Sequence, residues 1–155
     1  MMLSFPKMAK DNIDLAIETI NKISDNQKFD PLRSEINRNV INAIGAIANC
    51  YARMDFSLLL EDDDKYMRAF AYLNNQIKHD TTLEIIYFDV SGSIYPFRYP
   101  MRFGKPGIFW SDFKDNGRTN ARGKRIHYDE ILKNKDVEVT LIQAKDIISN
   151  YFGDD

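Results

Sequence analysis

His79 closes a run in which Asn74, Asn75, Gln76, Lys78 and His79 are polar around the apolar Ile77, and this stretch carries the most chemistry in the chain. An imidazole titrates near neutrality, so it can take or give a proton at physiological pH. Asn75 and His79 stand four residues apart, and on a helix they share a face with Tyr72 and Arg68. Such a row, if exposed, is a polar strip on which a ligand can be held. If buried, every group needs a hydrogen-bond partner. A structural role stands beside the chemical one, because a histidine near a helix carboxyl terminus interacts favourably with the dipole and can cap free carbonyls.

A second group of cations follows later. Lys114, Arg118, Arg122, Lys124 and Arg125 are interleaved with Asn116, Gly117, Asn120 and Gly123, a loop composition that offers charge and free backbone amides to a phosphate. Tyr95, Tyr99, Phe103 and Trp110 lie nearby in sequence and can stack on unpaired bases. The plain alternative is that the aromatics form one buried face and the cations pair with acidic flanks. Glycine spacing in this loop is wrong for a Walker phosphate loop, and no Ser or Thr follows Lys124. His127 sits beside these residues and is expected at the surface.

Other reactive types have structural explanations. The run Glu61, Asp62, Asp63, Asp64 suits the positive end of a helix dipole, and adjacent carboxylates on a helix point in different directions, so no metal site is expected there. Cys50, the sole cysteine, lies in an Ile/Ala-rich stretch and reads as core packing. No metal or cofactor is expected.

Hydrophobic periodicity supplies the elements that must position these groups. Ile13, Ala16, Ile17, Ile20 and Ile23 recur at three and four, predicting a helix over 9–24. A turn over 25–31 ends in Pro31, and Ile36, Val40, Ile44, Ile47, Tyr51 and Met54 trace a long second helix. Further apolar residues, Ile41, Ala43, Ala46, Ala48 and Cys50, widen its stripe and place it centrally. Tyr66, Met67, Phe70, Leu73 and Ile77 mark a third helix ending over 78–80. The period then changes to that of strands: 82–90 and 94–103 flank a SerGlySer turn and predict a β-hairpin, with Pro96 and Pro100 placing its second strand at an edge. Ile108, Phe109, Trp110 and Phe113 are expected to close the core, 115–124 to form an exposed loop, and 128–133 a short helix. Val137, Leu141, Ala144, Ile148 and Phe152 define the last helix over 137–152.

Composition bounds the rest. A chain of 155 residues with 44% hydrophobic and 28% charged residues fits one domain over 1–155. Its expected parts are a helical part at 9–80, a β-rich insertion at 82–113, a basic loop at 114–125 and a carboxyl-terminal helical part at 126–155. The amino terminus lacks the apolar run of a signal peptide and nothing reaches a membrane span, so the expected location is the cytoplasm. Residues 1–91 hold 10 Lys/Arg against 14 Asp/Glu, 92–125 hold 8 against 2, and 126–155 hold 3 against 7. Any attraction to phosphate therefore comes from the middle segment.

The stretch around His79, preceded by helices and followed by a strand, resembles the HEPN superfamily of small helical bundles found among bacterial RNases, toxins and phage-defence proteins. The family motif is an Arg, four to six residues and a His, with a polar residue after the Arg. Here His79 and Asn75 match, and Asn74 stands where the arginine belongs. The resemblance implies metal-independent RNA cleavage, in which a His moves the 2′-hydroxyl proton and an Arg stabilises the charge growing on phosphate. Asn74 carries no charge, and losing such a group typically costs roughly 10²- to 10³-fold in rate. Arg68 lies about 16 Å along the helix from His79, too far to share a phosphate within one chain. The resemblance further implies a homodimer with paired motifs at a shared cleft.

The expected fold is thus mainly α, a four-helix HEPN-like bundle with a β-hairpin before the last helix, an α+β arrangement. The expected function is RNA or nucleotide association with weak or lost ribonuclease activity, in a toxin–antitoxin or phage-defence setting. His79, Asn74 and Asn75 form its catalytic-type group, and Lys78, Arg118, Arg122, Lys124 and Arg125 its nucleic-acid contacts. The other reading is a non-enzymatic protein-interaction module or regulator with a structural His79.

Overall fold

The computed structural model describes residues 4–22, 30–89, 107–114 and 124–153. Helix α1 runs Phe5–Asn21, four residues ahead of the periodic stripe, because Ser4 caps it by accepting from the Lys7 amide at 3.2 Å and Pro6 sits in the first turn. Its buried residues are Ala9, Ile13, Ala16, Thr19 and Ile20. Helix α2 runs Asp30–Tyr51, so Pro31 lies within its first turn and not in a preceding turn. Proline is tolerated there because that amide would have no intrahelical partner. All six residues of the predicted stripe are buried, although α2 ends at Tyr51 and Met54 lies in the turn after it, and α2 packs against both α1 and the third helix, as a widened stripe requires.

A short 3-10 turn, Phe56–Leu58, capped by Asp55, leads to α3 over Glu61–His79. The acidic run forms the first turn of α3 and Lys78 and His79 its last, so both ends suit the helix dipole. Strand β1, Ile86–Asp89, pairs antiparallel with β2, Gly107–Trp110, with Ile86 opposite Trp110 and Asp89 opposite Gly107. The predicted partner strand at 94–103 and its turn lie outside the described residues, and the partner seen for β1 is the segment expected to be a core plug. It is both: Ile108, Phe109, Trp110 and Phe113 are all buried.

Helix α4, Lys124–Ile131, begins and ends earlier than the 128–133 expected, and 115–123 of the predicted loop lie outside the described residues. A turn then crosses the free edge of β2, where Asn134 takes a left-handed φ of 64° that asparagine tolerates. There the Trp110 amide donates to the Lys135 carbonyl at 3.1 Å and the Asn134 amide to the Trp110 carbonyl at 2.9 Å. Helix α5, Val137–Phe152, has the predicted bounds, with Asp136 capping Val139 at 3.0 Å. Phe152, expected on its buried face, is 39% exposed, whereas Thr140 and Ile147 are buried. The chain is mainly helical, with one small antiparallel sheet among the described residues, an α+β fold. No helix among the described residues is long and apolar enough to cross a membrane.

Trp110 ties the sheet to the bundle. Its indole Nε1 donates to Thr140 Oγ1 at 2.7 Å, and Phe70 meets its ring edge-on at 5.9 Å. Tyr66 of α3 donates to the Thr140 carbonyl at 3.4 Å.

Candidate functional site

The last turn of α3 presents Lys78 and His79 to solvent, with Asn74 and Asn75 half-buried behind them. Asp80 follows in extended conformation, and its carboxylate accepts from the Thr82 amide at 3.0 Å and the Thr82 hydroxyl at 2.6 Å. Those two bonds hold the Asp80 carboxyl below its ordinary range. Asn74 sits over Gly45 of α2, where an added Cβ would lie 3.7 Å from Asn74 Oδ1. Tyr51 and Asp64, Gly45 and Asn74 meet in that order along the two helices, so α2 and α3 run antiparallel.

Tyr72 interrupts the predicted row of Arg68, Tyr72, Asn75 and His79. It is fully buried under α4, stacked on Phe113 at 6.2 Å and tilted against Tyr128 at 5.9 Å. Gln76, 1% exposed, is buried on the same helix, and its amide nitrogen has no hydrogen-bond partner. Lys78 and His79 therefore form a compact exposed tip with the half-buried Asn75 behind them, separated from Arg68.

Arg68 belongs to a group that sequence spacing only half reveals. Its Nε lies 3.0 Å from Asp64 Oδ2, and Asp64 Oδ1 accepts from the Tyr51 hydroxyl at 2.5 Å. Burial, reinforced by the bond to Asp64, pushes the Tyr51 phenol up to about 12. His127, expected at the surface, is half-buried, and its Nδ1 is buried without a partner. Burial, with Arg68 and Lys65 nearby, holds its imidazole below the ordinary 6.5 against the opposing pull of Glu130 and Asp64. The histidine beside Arg68 is thus His127, not His79. The Asp64 and Arg68 spacing of four is legible, but Tyr51 and His127 come from other helices, and α4 begins where a loop was expected.

Arg125 is engaged within the fold. Its guanidinium carbon lies 5.0 Å from the Phe113 ring centroid, 5.5 Å from Tyr128 and 5.9 Å from Tyr72. Its Nη1 donates to the Tyr72 hydroxyl at 3.3 Å, and it pairs with Asp129 at 3.1 Å and Asp112 at 3.4 Å. Lys124 is the first residue of α4, and Arg118 and Arg122 lie outside the described residues. Among the described residues no group of His, Cys, Asp and Glu is arranged to hold a metal ion. Cys50 is buried, which pushes its thiol up to about 11 and makes it a poor nucleophile.

No family model matches the chain, and no curated protein or solved structure is significantly similar to it.

Proposed function

We propose that this chain is a HEPN-like, RNA- or nucleotide-associated protein that binds through the tip of α3 and cleaves weakly or not at all. The observation that carries this reading is the exposed pairing of Lys78 with His79 at the end of α3, with Asn75 beside them. A cation and an imidazole there can contact phosphate and a 2′-hydroxyl. Arg68 and Arg125 do not supply the missing charge: Arg68 is tied to Asp64, and Arg125 to three rings and two carboxylates. In this reading the protein works in the cytoplasm as a homodimer, in a toxin–antitoxin or phage-defence setting. Asn74 lines the site from behind, and Arg118, Arg122 and Lys124 add charge.

The test is incubation of the purified protein with mixed cellular RNA beside His79→Ala. Retention of RNA that the variant loses, with little cleavage by either, is the expected result. Cleavage abolished by His79→Ala would instead make it a nuclease despite Asn74. Absence of both would favour the interaction-module reading. That second reading has its own support in Phe56, Leu58 and Leu60, three large apolar side chains 48%, 71% and 73% exposed beside the acidic start of α3.

A further inference from the structure

The antiparallel packing of α2 and α3 sets the first turns of α2 beside the end of α3, and β1 closes a third side. Between them lies an open cleft of about 480 Å³, within the size range of small-molecule sites. Arg33 and Asn37 line it from α2, Thr81 and Glu84 from the connection after α3, and Phe88 from β1. The Arg33 guanidinium lies over the Phe88 ring, 4.9 Å from its centroid.

The walls differ in sign along the cleft. Arg33 stands near the positive end of α2, whereas Glu84 lies past the negative end of α3. A ligand that fits has an anionic end, a flat middle and a terminal N–H donor. A layered guanidinium and aromatic ring is a stacking platform for a base. Asn37 and Thr81 offer an amide and a hydroxyl to a ribose. We infer that the cleft binds one nucleotide unit of unpaired RNA. Its phosphate lies at Arg33, its base against the Arg33–Phe88 layer, and its exocyclic amino group donates to Glu84. Thr81 follows His79 by two residues, so the strand continues toward the α3 tip. This inference rests on the RNA-associated reading and extends its site.

Adenine and cytosine carry an exocyclic amino donor at the ring position where guanine and uracil carry a carbonyl acceptor, which the Glu84 carboxylate repels. Equilibrium dialysis of the full chain against each of the four nucleoside monophosphates tests this. Arg33→Ala and Asn37→Ala change exposed helix positions, where alanine keeps the helix, and circular dichroism verifies the fold. AMP and CMP are expected to bind, with GMP and UMP about tenfold weaker, and each variant is expected to lose about tenfold for all four. Glu84→Gln is expected to bring GMP and UMP level with the others. Equal binding of GMP and UMP by the unaltered chain, or variants that bind like it, would overturn the assignment. RNA retention on the same proteins separates the two readings. RNA held equally by the cleft variants removes the cleft and leaves the α3 tip. Monophosphate binding without RNA retention leaves the cleft and removes the RNA reading, and absence of both removes both.

Discussion

His127 is kept neutral by its surroundings, and that makes stability depend on pH. Burial is the leading cause, followed by the nearby Arg68 cation. The folded imidazole therefore titrates below 6.5, while the unfolded one titrates near about 6.5. Above 6.5 neither form is charged and the full stability is present. As pH falls through 6.5 the unfolded chain takes up the proton first, so stability drops down to the folded value and then levels off. Urea unfolding at pH 7.5 and pH 5 is expected to show this loss, and His127→Gln, which cannot titrate, to show a smaller one. The same residue marks a limit of sequence reading. His79 was legible because its helix stripe fixes where α3 ends. His127 was not, because the apolar residues before it gave no period, and its charged neighbours Arg68, Lys65 and Asp64 belong to a distant segment. Arg125 is similar: its charge is visible in sequence, but the rings that surround it come from α3, α4 and the segment after β2.

Elements were legible where apolar residues recur at helical spacing. The α2 stripe from Ile36 to Met54 and the bounds of α5 follow from spacing and from Asp136 as a cap. Two features escaped. The start of α1 depends on Ser4, a cap lying outside the apolar pattern. The pairing of β1 with Gly107–Trp110 is long-range, and a short apolar run does not announce its partner. At Gly107 the constraint is local, since an added Cβ would fall 2.5 Å from the Phe109 ring. Gly45 is the opposite case. An alanine there would meet Asn74 Oδ1 at an ordinary 3.7 Å, and no positive φ is involved. Gly45→Ala is therefore expected to stabilise α2 by about 1 kcal/mol, the usual helix-interior difference. Denaturant titration checks it, and RNA retention on the same variant shows whether the α3 tip tolerates the closer contact.

Fold class was readable from the whole pattern, four strong helical stripes and one change of period, while function was not, because the HEPN-like resemblance around His79 has Asn74 where that motif has an arginine. The charge asymmetry yields a whole-molecule prediction. RNA retention through the middle segment is expected to weaken with salt, with log affinity falling by about 0.7 per phosphate contact on single strands. Replacing Arg118 and Arg122 together with serine is expected to reduce that slope by about 1.4, as measured by filter binding across a salt series. One bond described above also bears on how the protein is made. Thr140 receives the Trp110 indole and the Tyr66 hydroxyl, and α1 packs directly on α5. Until α5 has been synthesised, the first helix is covered by α2 alone and the tryptophan lacks its acceptor. A nascent chain paused after Asn134 thus exposes the apolar faces of helices already made, and it is at this stage of translation that a chaperone would find its grip.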